Sequence, residues 1–112
     1  WNGERFPQWG IHQLPSGIGG LTALQQLYIL NCDNLKTLPE SIGSLSQLRN
    51  LLIHGCSKLE ALPKSIQNLT ALQDLYIGDC PVLKTRCEEP DGDDWPLIQH
   101  TPDKYIGYIC KC

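Results

Sequence analysis

The fold class that this sequence predicts is an α/β solenoid, with short parallel strands on a concave face and a mostly irregular or 3-10 convex side. Three observations predict it. A nine-residue frame, L-x-x-L-x-(L/I)-x-x-C, starts at Leu24, Leu48 and Leu72, so its copies lie 24 residues apart (48 − 24 and 72 − 48). Each copy follows a Leu-Pro dipeptide, at 14–15, 38–39 and 62–63. The frame stops at 86–87, where a fourth Leu-Pro is expected, and a polar segment follows.

This frame is the pattern of a leucine-rich repeat, in which the leucines and the ninth residue point into a core shared by stacked turns. Residues 14–85 therefore form three 24-residue repeats. Within each, the alternation seen at Leu51-Leu52-Ile53 predicts a strand whose middle residue faces away from the core. Residues 41–45 lack this alternation, which predicts a helical turn or irregular arc on the convex side. Pro39 helps to fix the chain as it enters that arc.

Residues 1–13 do not fit the frame and are predicted to be an irregular lead-in or a degenerate repeat. Gly3 stands at the offset of Leu27, where the frame requires an apolar residue. The segment instead carries three aromatic residues, Trp1, Phe6 and Trp9. We expect these rings to cover part of the open end of the first repeat.

Residues 86–112 are predicted to be a capping tail, because a solenoid needs a terminal unit with a polar outer surface. A polar, turn-rich loop over 88–94 leads into 94–98, where an acid and an early proline predict a short capped helix. Trp95 is the expected plug of the core. The stretch 105–109 alternates as a final strand does.

Composition limits the classes of function. The net charge is −3, and residues 1–85 balance six basic against six acidic residues, so the tail carries the whole imbalance. No basic patch of the kind that binds nucleic acid is present, and no apolar run is long enough to cross a membrane. The chain contains no Met, from which we expect a piece of a longer protein or a processed product.

Cys32, Cys56 and Cys80 occupy one repeat column, which favours free, buried, structural thiols over disulfides. An oxidised, secreted protein is the alternative. A metal site built from Cys87, His100 and the two terminal cysteines lacks the C-x-x-C spacing of structural zinc sites. Ser, His and Asp are scattered over the repeats, so we expect no enzyme, no catalytic residues, no metal and no cofactor in this chain.

The outward positions of the strands are the candidate site, because parallel strands stack equivalent residues into columns about 4.8 Å apart. Tyrosine is well suited to protein recognition, since its rigid ring carries a polar tip. A solvent-exposed sheet with no partner is the alternative for these positions. The predicted protein-binding residues are Gln26, Tyr28, Leu30, Asn50, Leu52, His54, Asp74, Tyr76 and Asp79.

The repeats, L-P-x-x-I-x-x-L-x-x-L-x-x-L-x-I-x-x-C-x-x-L, resemble the C-terminal leucine-rich repeats of plant coiled-coil nucleotide-binding disease resistance receptors. The tail is the more specific part of the resemblance. Its matching segments are Asp79-Cys80-Pro81, Arg86-Cys87, Gly92-x-Asp94-Trp95-Pro96, His100-x-Pro102 and Tyr105-Ile106.

The resemblance implies a cytoplasmic sensing module. In such receptors the repeats contact pathogen effectors, host proteins or the receptor's own upstream domains, and they contribute to autoinhibition. ADP or ATP would belong to an upstream domain, since this chain has no G-x-x-x-x-G-K-(S/T) phosphate loop. The alternative is an independent small repeat protein, either an inhibitor or an ice- or glycan-binding array. Such an array would use two polar columns, Thr22, Ser46, Thr70 and Gly20, Ser44, Asn68.

Overall fold

Five parallel strands form one sheet along one side of the molecule. The computed structural model describes residues 3–6, 16–32, 34–88 and 91–107, and of residues 3–6 and 16–17 only the backbone. The strands, in chain order and in sheet order, are β1 (Gly3–Phe6), β2 (Gln26–Leu30), β3 (Asn50–His54), β4 (Asp74–Gly78) and β5 (Asp103–Ile106). Three 3-10 helices return the chain on the other side, at Ser16–Gly20, Glu40–Ser44 and Lys64–Asn68. The solenoid predicted from the frame is confirmed.

The core lies between the sheet and the 3-10 helices. Leu51 pairs in register with Leu27 and Leu75, and all three side chains are fully buried. Ile42 and Ile66 close the layer from the 3-10 side. Strands β2, β3 and β4 present alternate residues to this layer, so the intervening residues form an outward surface, called the strand face below.

The repeats end their strands with a left-handed residue. Asn31 and Asp79 have φ values of 54° and 56°, and Gly55 at the equivalent position has 78°. Asn, Asp and Gly are the residues that tolerate this conformation best. The strand half of each repeat therefore stops at one place, and the chain turns inward to the cysteine that follows.

Gly55→Val is expected to lower the free energy of unfolding by about 1–2 kcal/mol, because a β-branched residue is strained at positive φ. Gly55→Asn, which copies the residue at position 31, should cost clearly less. Urea denaturation of the two variants checks this, and equal losses would contradict a conformational origin.

The 3-10 helices are joined by hydrogen bonds from one repeat to the next. Ser65 donates from Oγ to the carbonyl of Glu40 at 2.6 Å and from its backbone N–H to the carboxylate of Glu40 at 3.2 Å. A Cβ at Gly43 would lie 2.5 Å from the Cβ of Ser65, so the close approach of these helices requires glycine there.

At the N-terminal end, β1 joins the sheet with an offset of 23 residues, since Gly3 pairs with Gln26 (26 − 3). The alignment of Gly3 with Leu27 was therefore wrong by one residue, because the first unit is one residue shorter than the others. Ile18 is buried there, whereas Leu21 is 41% exposed. The predicted covering of this end by Trp1, Phe6 and Trp9 lies outside the described side chains.

The C-terminal end is built from two short helices and β5. The helix α1 (Pro81–Arg86) was not predicted, and it buries Leu83. The predicted second helix is present as α2 (Trp95–Ile98), with Pro96 in its first turn. Half-buried Trp95 packs against the core. The predicted last strand over 105–109 begins earlier, at Asp103, and positions 108–109 lie outside the described residues.

Asp94 holds this end to the third repeat. Its carboxylate, predicted as a helix cap, makes no cap hydrogen bond. It accepts the N–H of Leu62 at 2.9 Å and two hydrogen bonds from Arg86, each of 3.1 Å. Asp94 is 3% exposed. The prediction of a cap was wrong, because the buried N–H of Leu62 and a fork-shaped guanidinium together satisfy this carboxylate.

Candidate protein-binding face

The nine predicted site residues lie together on the strand face or directly beside it. Eight belong to strands β2 to β4, in columns set by the pairing register. The ninth, Asp79, follows the end of β4 and is exposed. One column runs Tyr28, Leu52, Tyr76 and a second runs Gln26, Asn50, Asp74. The third column begins with half-buried Leu30 and His54 and ends at buried Gly78.

Tyr105 extends the tyrosine column and was missed by the sequence analysis. It pairs with Tyr76 in register, and the two rings stack with centroids 4.6 Å apart and planes at 11°. Their exposed fractions are 40% and 39%. The sequence did contain a signal for the position of Tyr105, because Asp103-Lys104-Tyr105-Ile106 repeats the pattern of Asp74-Leu75-Tyr76-Ile77.

The second column is polar and becomes acidic toward β5. Tyr28 donates its hydroxyl hydrogen to Gln26 Oε1 at 3.3 Å. Asn50, with its amide nitrogen turned toward the acceptors, donates to Asp74 Oδ2 at 2.7 Å. Asp103 adds a second carboxylate beside Asp74 in register. The polar column therefore ends in two neighbouring carboxylates, on β4 and β5.

A shallow groove of about 380 Å³ lies between the two columns. Tyr28 and Tyr76 line it together with Leu52, and Asn50 and Asp74 supply its polar residues. Partial desolvation and then the charge of Asp74 raise the pKa of Tyr76. Its hydroxyl therefore stays protonated at neutral pH and remains able to donate a hydrogen bond.

The contacts of the buried cysteine column indicate a structural role. Cys32, Cys56, Cys80 and Cys87 are buried and belong to no disulfide, as predicted for the three repeat positions. The thiols of the first three point to the carbonyl oxygen two residues earlier, at 3.5, 3.9 and 3.2 Å. These three thiols therefore fill the space below the strand ends, where each S–H group is a weak donor to a backbone carbonyl oxygen. Cys110 and Cys112 lie outside the described residues.

Burial first, and then the charge of Asp94, raise the pKa of the Cys87 thiol from an ordinary 9.0 to about 12, against a smaller lowering by Arg86. The unfolded thiol ionises near pH 9 and the folded thiol only near 12. The stabilisation from Cys87 is thus present below pH 9 and is lost as the pH rises toward 12, with a slope of up to about 1.4 kcal/mol per pH unit.

Urea midpoints measured between pH 8 and 10 test this dependence on the Cys87 thiol. The midpoint of the unsubstituted chain should fall more steeply above pH 9 than that of Cys87→Ala, in which the lysines and tyrosines still titrate. Parallel curves would contradict the assignment to Cys87.

Within the part of the chain that the structure describes, no group of three His, Cys, Asp or Glu side chains is placed to hold a metal ion. His100 has its Nε2 atom 3.3 Å from the carbonyl oxygen of Leu69, which ties the tail to the third repeat. Among the same residues, no helix has the length and apolar character needed to cross a membrane.

Comparison with known proteins decides the family. The family described as a leucine-rich repeat region matches residues 5–88. The chain belongs to the leucine-rich repeat family. Repeats of this family are protein-interaction modules, and they are generally not enzymes. A comparison with curated proteins finds no match.

Among solved structures, this leucine-rich repeat chain is similar to a plant peptide hormone receptor, RGFR1, in complex with RGF2. The two are 23% identical over the aligned residues, with a TM-score of 0.40. The alignment covers 71% of this chain and 19% of the receptor chain, so the matched region is a small fraction of that receptor.

Proposed function

We propose that this chain is the protein-recognition module of a plant immune receptor and that it binds its partner through the strand face. The observation that carries the proposal is the outward column Tyr28, Leu52, Tyr76 and Tyr105, held in register by four consecutive strands. Rigid aromatic side chains lose little conformational entropy when they are buried by a partner. An aromatic column beside a polar column thus supplies both contact area and hydrogen bonds.

The immune context is supported by the tail. Arg86, Asp94, Trp95 and Tyr105 all belong to the segments that resemble the ending of plant coiled-coil nucleotide-binding receptors. In the proposed receptor, the partner is a pathogen effector, a host protein or the receptor's own upstream domains, and the protein is cytoplasmic. Contact with the upstream domains would contribute to autoinhibition, and ADP or ATP would bind there.

An ice- or glycan-binding array is not favoured. The two polar columns that would form it are exposed, but their residues change from repeat to repeat. A regular array requires the same group at each step, whereas one column mixes threonine with serine and the other mixes glycine, serine and asparagine.

The recognition face is tested by Tyr28→Ala combined with Tyr76→Ala. We expect the affinity for a protein partner to fall at least roughly tenfold, because tyrosines near the centre of an interface are frequent hot spots. Val82→Ala, which removes an exposed apolar group from α1, is the matched control and should leave affinity unchanged. Equal losses of affinity in the two variants would show that the column is not a recognition site. A double variant that no longer folds would show that the column is structural instead.

The receptor context is tested by an immunoblot of plant tissue that expresses the chain, with an antibody raised against these residues. The proposal predicts one band many times larger than 12.5 kDa. A single band near 12.5 kDa would instead identify an independent small repeat protein.

A further inference from the structure

We infer that the groove between Tyr28 and Tyr76 binds an arginine side chain from an extended segment of the partner. The inference rests on the proposed function, since it assigns the chemistry of the ligand to the same strand face. The shape of the groove and the charge around it both favour a guanidinium group as the occupant.

The shape of the groove fits a planar group. Tyr28 and Tyr76 lie two strands apart, on either side of Leu52, so their attachment points are about 10 Å apart. Contact distances of about 3.5–4 Å on each face leave room for one flat group between the rings. Leu52 lies between them and contacts the methylene stem that carries such a group. Guanidinium is planar and stacks on aromatic faces, whereas ammonium is a compact and strongly hydrated charge.

The charge of the groove selects a cation. Asp74 contributes a carboxylate to its lining, and Asp103 lies next to Asp74 in register. Neither carboxylate belongs to the ion pairs found among the described residues, which involve Lys84 and Arg86 of α1. Their negative charge is therefore not neutralised by a described cation, and the open side of Tyr76 faces the same groove.

The probes are three synthetic peptides, (Gly-Arg)4, (Gly-Lys)4 and (Gly-Glu)4, titrated into the full chain and followed by NMR of the tyrosine rings and leucine methyls. We expect (Gly-Arg)4 to bind about two- to fivefold more tightly than (Gly-Lys)4, as a stacked cation requires. The signals of Tyr28, Tyr76 and Leu52 should shift. No binding of (Gly-Glu)4 is expected.

Asp74→Asn should weaken (Gly-Arg)4 about two- to fivefold at low salt, as loss of an exposed ion pair does. The matched control is Asp91→Asn, which removes the same charge from an exposed position outside the sheet and should leave the dissociation constant unchanged. Equal effects of the two substitutions, equal affinity for the arginine and lysine peptides, or shifts confined to residues outside the groove would each overturn the inference.

Failure of this inference is distinguishable from failure of the proposed function. If no arginine peptide binds but Tyr28→Ala with Tyr76→Ala still abolishes binding of a protein partner, the recognition face stands and its ligand chemistry is different. If the double substitution has no effect on a protein partner, the proposed function itself fails.

Discussion

Leu51→Ala is expected to lower the free energy of unfolding by about 3 kcal/mol, within the usual range of roughly 2–5 kcal/mol for such truncations in a core. Leu51 is completely buried in β3, between Leu27 of the preceding repeat and Leu75 of the next. Truncation removes apolar contacts from both interfaces at once and leaves a cavity that flanking strands cannot fill. Urea denaturation followed by circular dichroism measures the loss.

The matched control for this core substitution is Leu52→Ala, which removes the same atoms one residue away. Leu52 lies on the strand face and is half-buried. Its truncation should cost about 1 kcal/mol or less, as surface substitutions usually do. If the two variants lost equal stability, the assignment of inward and outward faces to β3 would be wrong.

Arg86→Ala is expected to lower the free energy of unfolding by roughly 3 kcal/mol, near the lower end for breaking a buried pair, because the Arg86 side chain is itself 36% exposed. The substitution leaves the carboxylate of Asp94 buried with the N–H of Leu62 as its remaining protein partner. Hydrogen bonding to Asp94 also raises the pKa of Arg86, so the guanidinium stays charged throughout the neutral range. The tail should loosen from the third repeat before the repeats unfold.

Asp93 provides the control, because Arg86 also contacts its carboxylate, at 3.3 Å, while that side chain is 77% exposed. Asp93→Asn should change stability by less than about 1 kcal/mol, since exposed ion pairs contribute little. Hydrogen exchange of the Leu62 amide separates the two variants. Fast exchange is expected only in Arg86→Ala, and an unchanged rate there would contradict the role given to Asp94.

The parts of the fold that repeat at fixed spacing could be predicted, because their structure is decided locally. The 24-residue period predicts which residues stack, and the alternation Leu51-Leu52-Ile53 predicts which of them face outward. The column Tyr28, Leu52, Tyr76 follows from these two facts alone. Its role in binding remains a prediction, since placement does not by itself identify a partner.

The parts that depend on contacts distant in sequence could not be predicted. Asp94 bonds to the N–H of Leu62, 32 positions earlier, and a short acid–proline pattern points instead to a helix cap. Tyr105 joins the tyrosine column 29 residues after Tyr76 (105 − 76), because α1 and α2 lengthen the last connection beyond one repeat. The unit that begins with β1 deviates from the 24-residue period in the opposite direction, because it is one residue shorter than the repeats.

Photo-crosslinking from two positions tests most directly whether the strand face recognises protein. A benzophenone amino acid replaces Leu52 on that face in one chain and Gln67, exposed on the third 3-10 helix, in another. Both chains are returned to plant tissue that expresses the protein, and crosslinked peptides are identified by mass spectrometry. Recognition by the strand face predicts one discrete protein adduct from position 52 that is lost when Tyr28 and Tyr76 are replaced by alanine. The same adduct from both positions, or from position 67 alone, would contradict it.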